Sequence, residues 1–168
     1  MGLFSHFLFL PLPHPQCRLQ LPPYVATLMR RCPDRPSRGD PCRSSILQPR
    51  RASRRPPLSF ATRVGDLLFI SGIPGFDANG ALSDGFEAQF ANVVINIKRV
   101  LEEAGATIRD LAKVNVLLTR ASDVAAMNAL YAGAFGPPPY PARTTCVVQA
   151  LPDPKMLIEI EAVASLAK

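Results

Sequence analysis

Three ionisable side chains in the last thirty residues of the chain could do chemistry. Arg143 stands in Pro141-Ala142-Arg143-Thr144-Thr145, and Glu159 and Glu161 stand in Ile158-Glu159-Ile160-Glu161-Ala162. The two glutamates alternate with apolar residues, as one face of a β-strand would. An ionised group inside such a strand costs on the order of several kcal/mol unless it is paired, so all three residues need an explanation. Arginine offers a planar fork that grips a carboxylate through two hydrogen bonds, which lysine cannot reproduce. A carboxylate nearby can orient a water and carry a proton. The set therefore suits a pocket that binds a carboxylate and activates water. A structural ion pair, or a strand with one solvated face, accounts for the same residues, and their types alone leave both readings open.

Composition removes several other chemistries. Residues 57–168 contain no histidine and one cysteine, Cys146, because His6, His14, Cys17, Cys32 and Cys42 all lie earlier. A Ser-His-Asp triad, a Cys-His pair, a His/Cys zinc site and an internal disulfide are thereby excluded from that part. Cys146 adjoins Val147 and Val148 and reads as a buried core thiol. The pI of about 9.5 belongs to the N-terminal stretch. Residues 1–55 hold ten arginines against Asp34 and Asp40, whereas the rest holds nine basic and eleven acidic side chains. The clustered basic face of a nucleic-acid binder is not expected on the folded part.

The 168 residues allow one domain with a sizeable core. Eleven of the eighteen prolines precede Leu58. Without sustained apolar periodicity, residues 1–56 are expected to be a disordered leader and residues 57–168 the domain. The apolar start is broken by Pro11 and Pro13, so neither a membrane span nor a secretory signal is expected. Two origins suit the leader: an organellar transit peptide, or an upstream region read from a start site set too early. The second leaves the domain in the cytoplasm.

The elements that must position the three residues are legible as patterns. Leu67–Ser71 reads as a buried strand ended by Gly72 and Pro74-Gly75, and Asp77–Gly80 reads as a turn in a short hairpin. Phe86, Phe90, Val93, Val94, Ile97, Val100, Leu101 and Ala104 recur as one helical stripe, with Asp84 as cap and Gly105 as stop. Leu111–Thr119 alternates as a strand with Val114, Val116 and Leu118 on one face. Ser122 caps a second helix reaching about Phe135, which Gly136 and three prolines end. Thr144–Ala150 and Met156–Ala164 complete the strands. The order implies an α+β domain with two helices on one face of a mixed sheet. Leu157, Glu159, Glu161 and Val163 share the other face, a mixture that suits a subunit interface with a polar pocket.

In this order and spacing, GDLLFISG, FEAQFANVVINIKRVLEEAG, KVNVLLT, NALYAGAFG, PARTT and IEIEAVA resemble the Rid (YjgF) family of enamine/imine deaminases, from about Leu58 to Ala164. The resemblance implies a chorismate-mutase-like domain in a homotrimer, with sites between subunits. It implies hydrolysis of 2-imino or enamino acids, such as 2-iminopropanoate and 2-iminobutanoate, to 2-keto acids and ammonia. Arg143 would bind the substrate carboxylate and Glu159 would position the water. Ser71 and Asn128 match pocket positions of some relatives, and Ile73, Tyr140, Thr145 and Glu161 complete the pocket candidates. No metal or cofactor, nucleic acid or membrane is implied, in keeping with a domain that lacks histidine. The chain departs from the family at Leu58, where an aromatic residue is common. It departs also at Ile73, where a polar residue often follows Ser-Gly, and at Thr145, where a cysteine is frequent. An apolar Leu58 and Ile73 also suit a small-molecule-binding trimer with little catalysis.

Overall fold

The computed structural model describes residues 57–167 throughout and, before them, only the backbone of Met29–Arg30 and Ser45–Pro49. These two short segments are strands β1 and β2. The sequence expectation for the leader otherwise lies outside the described residues. The strands that follow are β3 (Ala61–Val64), β4 (Leu67–Pro74), β5 (Leu111–Leu118), β6 (Ala142–Val147) and β7 (Ile158–Ser165). The helices are α1 (Phe86–Glu103) and α2 (Asp123–Phe135). The sheet runs β1-β2-β3-β4-β7-β5-β6, and β5 with β6 is its parallel pair. Helix α2 makes that parallel crossover, while β7 inserts antiparallel between β4 and β5. The five strands from β3 onward form a mixed sheet with both helices on one face.

Alternation and helical periodicity meet in one core. Val114, Val116, Leu118, Ile158 and Ile160 from the sheet, with Val93, Ile97, Leu101 and Met127 from the helices, are fully buried. Each such side chain contributes about 1.5–3 kcal/mol relative to exposure. Helix α1 ends as its glycine suggests. Gly105 takes φ 75°, its N–H donates to the Glu102 carbonyl, and Ala106 N–H reaches back to the Leu101 carbonyl at 2.9 Å. That pair of bonds closes the last turn.

Several local expectations give way. Strand β3 was not anticipated, because four residues with a half-exposed pattern carry too little apolar signal. Strand β4 does not stop at Gly72. It passes through a register shift between Ile70 and Ile73 and ends at Pro74, because a bulge absorbs the residues that would otherwise end pairing. Gly85, not Asp84, sits at the α1 cap, and no side chain bonds there. Ser122 occupies the α2 cap position but has helical dihedrals and makes no capping bond. Strand β6 begins at Ala142, two residues early, and ends at Val147. Cys146 is exposed rather than a core thiol, because β6 is the edge strand and its apolar neighbour Val147 is itself half exposed.

Candidate active site

Glu159 stands on the open face of the sheet, opposite Leu117 of β5 and Pro74 of β4. The bulge at Ser71-Gly72 brings β4 close beneath it. A Cβ built on Gly72 would lie 2.2 Å from Glu159 Oε1, so only glycine leaves this carboxylate where it stands. Burial, and secondly the Glu161 charge two residues on, push the Glu159 carboxyl above its ordinary pKa. Glu161 is more exposed and accepts a hydrogen bond from Asn115 Nδ2 at 3.3 Å. Beside them Lys113 Nζ donates to Thr144 Oγ1 at 2.5 Å. Ser71 is half buried, and its hydroxyl donates to the Ser59 carbonyl at 2.7 Å, which ties the start of the domain to the bulge.

A residue that sequence reasoning passed over fixes the entry to β7. Gln89 of α1 is buried, yet its amide is fully used. Its Nε2 donates to the carbonyls of Ser83 and Lys155, and its Oε1 accepts from Leu157 N–H at 2.9 Å, two residues before Glu159. Asn92 and Asn96, one and two turns on, donate to the carbonyls of Gly75 and Phe76. This stripe of amides pins both segments that flank Glu159. Its signal was present in the sequence as polar residues bordering the apolar stripe at helical spacing.

Arg143 looks the other way. It pairs in register with Val114, whose side chain is in the core, so the two share the helix-bearing face. Its Nη2 donates to Asn128 Oδ1 at 2.9 Å, its Nη1 approaches Met127 Sδ at 3.5 Å, and its guanidinium carbon lies 4.4 Å from the centre of the Tyr131 ring. All three partners belong to α2. The guanidinium is exposed but held in place. Tyr140 is also exposed and leans on Tyr131, with ring centres 6.2 Å apart. Thr145 lies on the same side as Arg143, and its buried hydroxyl has no partner among the described residues.

The sheet therefore separates the sequence-named residues into two sets. Arg143, Asn128, Tyr140 and Thr145 gather on the α2 side of the β6 edge. Glu159, Glu161 and Ser71 gather on the open face. Ile73 joins neither set, since it is 3% exposed and packs opposite Ile160 toward the helices. Leu58 is exposed. One chain thus presents a held guanidinium on one surface and a carboxylate of raised pKa on another. No group of three or more metal-ligating side chains occurs among the described residues.

Comparison with known proteins shows the family to which the chain belongs. A family model described as Endoribonuclease L-PSP, the grouping of the Rid (YjgF) proteins, matches residues 50–166. The chain belongs to the Rid family. It is 42% identical over 110 residues to a RutC family protein of Pyrococcus abyssi, covering 64% of this chain and 85% of that one. It is 35% identical over 112 residues to Reactive Intermediate Deaminase A, chloroplastic, of Arabidopsis thaliana, covering 66% of this chain and 59% of that one. Among solved structures, RidA from an Antarctic Psychrobacter superposes with a TM-score of 0.63 at 38% identity, covering 67% of this chain and 91% of that one. The match begins seven residues before the domain start expected from sequence, at the end of β2. No helix among the described residues is long and apolar enough to cross a membrane.

Proposed function

We propose that this Rid protein hydrolyses 2-imino and enamino acids to 2-keto acids and ammonia, in sites where the clamp of one copy meets the carboxylate of the next. The observation that carries the reading is the division of Arg143 and Glu159 between two faces, each held ready by its own surroundings. A second copy of the chain is the natural source of the missing half, and a homotrimer closes the arrangement without leaving a half-site over. The open face supports this, because Val64, Leu67 and Phe69 stand exposed there at 37%, 43% and 45%. Such a patch is covered at low cost by another copy.

The chemistry is short. The guanidinium of Arg143 takes the substrate carboxylate through N–H groups not engaged by Asn128 and Met127. Glu159 accepts a proton from water as the water oxygen bonds to the imine carbon. That proton passes to nitrogen and gives the carbinolamine; Glu159 then takes the hydroxyl proton and returns it to nitrogen as the carbon–nitrogen bond breaks, so the keto acid forms and ammonia leaves. A carboxylate with raised proton affinity is a better base near neutral pH than an ordinary one. The imine carbon is already electrophilic, so orientation and one carboxylate that relays both water protons in turn suffice.

The binding-only reading loses one of its supports, since Ile73 packs in the core and cannot make a pocket apolar. The endoribonuclease wording of the family description finds none in residues 57–168, which are net acidic and contain no histidine. The test is ammonia release when an amino-acid oxidase generates 2-iminopropanoate or 2-iminobutanoate in the assay. Acceleration over the oxidase alone is expected. No acceleration, with saturable binding of pyruvate retained, would replace this function with ligand binding.

A further inference from the structure

Beneath Arg143 lies a column of rings that neither the family match nor the reaction explains. Tyr131 is 7% exposed. Its ring stacks on Phe135 with centres 4.5 Å apart and planes at 27°, and its other neighbour is Tyr140. The hydroxyl is buried and has no hydrogen-bond partner among the described residues. A tyrosine kept for its hydroxyl would have that hydroxyl paired, because an unpaired buried donor is costly. The part of the residue in use is the ring face, on which the Arg143 guanidinium sits at 4.4 Å from centre. An aromatic face carries the negative lobes of its quadrupole and attracts a cation within about 6 Å.

Two restraints then act on the guanidinium from different directions. Asn128 Oδ1 accepts from Nη2 at 2.9 Å, and the ring fixes the tilt of the guanidinium plane. Phe135 and Tyr140 keep the ring from turning to follow it. Arg143 itself is exposed, and without such a support its long side chain would sample many rotamers before each binding event.

We propose that Tyr131 is a positioning residue whose ring face holds the Arg143 guanidinium in the plane that receives the substrate carboxylate, and so sets substrate affinity. This rests on the reading of Arg143 as the carboxylate clamp. The role predicts an effect on binding that follows the electron density of the ring rather than its size or its hydroxyl.

The test replaces Tyr131 in the full chain by phenylalanine and then by phenylalanines carrying one, two and three ring fluorines, which weaken the quadrupole at nearly constant volume. The readouts are kcat and KM on 2-iminopropanoate, Kd for pyruvate, and Tm. KM and Kd are compared with those of Tyr131→Phe, which keeps the ring face and removes only a hydroxyl that has no partner among the described residues. Stepwise fluorination should raise both, reaching about two- to thirty-fold, at constant kcat and Tm. KM and Kd that stay flat across the series would overturn the proposal. So would losses that track a falling Tm, which would mark the ring as mere packing. A parent without deaminase activity whose pyruvate Kd still rises with fluorination removes the deaminase function and keeps Tyr131 in its role. An active deaminase with a flat series does the reverse.

Discussion

Replacing Gly72 by alanine should disable Glu159 without touching it. The added Cβ would lie 2.2 Å from Oε1, 2.7 Å from Cδ and 3.1 Å from Cγ of Glu159. To reach an ordinary contact of 3.4 Å the carboxylate oxygen must retreat by about 1.2 Å. It can do so, because the atoms in the way are the far end of a half-exposed, flexible side chain. Gly72 is not among the glycines with positive φ, so alanine keeps the same backbone. The expected effect on stability is therefore within about 0.5 kcal/mol. Misplacing a reacting group by an ångström costs up to about a hundredfold in rate. Gly72→Ala should thus lower kcat by roughly ten- to a hundred-fold while Tm and the Kd for pyruvate hold. The assay is ammonia release from 2-iminopropanoate formed in situ, with Tm from thermal melting of the same preparation. In a Glu159→Gln background the alanine should cost nothing further, since the group it displaces is already disarmed. A Gly72→Ala protein with the parent's kcat would refute the placement of Glu159 as the base.

Four further outcomes follow from the same geometry. Arg143→Lys keeps the charge but loses the fork and the seat on Tyr131, so kcat/KM should fall roughly ten- to a hundred-fold for about one charge-assisted hydrogen bond. An exposed position leaves its Tm unchanged, and near-normal kinetics would end the clamp assignment. Glu159→Gln should depress kcat more than affinity, whereas Glu161→Gln should spare kcat and shift the acid limb of the rate profile to lower pH by removing a charge that raises Glu159. The opposite ranking of the two would exchange their roles. Stability gives a second view of Glu159: its folded pKa lies above the ordinary value, so between the two the folded state binds the extra proton. Stability contributed by this group therefore falls as pH rises through that window, and Glu159→Gln should flatten that part of a Tm-against-pH curve. Extended EDTA treatment should leave the rate unchanged, and a rate restored only by zinc or manganese would contradict the mechanism.

The difference between what was legible in the sequence and what was not has a physical cause. The stripe from Phe86 to Leu101 and the alternations Val114-Val116-Leu118 and Ile158-Ile160-Ala162 report burial directly, and every one of those residues is in the core. Burial is a large, local and periodic signal. Signals that depend on pairing failed instead. Gly72 reads as a terminator because in isolation a glycine weakens a strand, yet here it makes the bulge that admits Glu159. Cys146 reads as core from its valine neighbours, yet β6 is an edge whose flanks are open. The site was legible as a set of residues but not as an arrangement. Alternation shows that Arg143 and Thr145 share a side of β6 and that Glu159 and Glu161 share a side of β7. Which side of β6 matches which side of β7 is decided only by the parallel register Val114↔Arg143 and the antiparallel register Leu117↔Glu159. Those two registers put Arg143 with the helices and Glu159 on the open face. Shifting either register by one residue would bring both onto one face. In the registers observed, a sheet stands between them, and the proposed chemistry belongs to a contact between copies rather than to the fold of one.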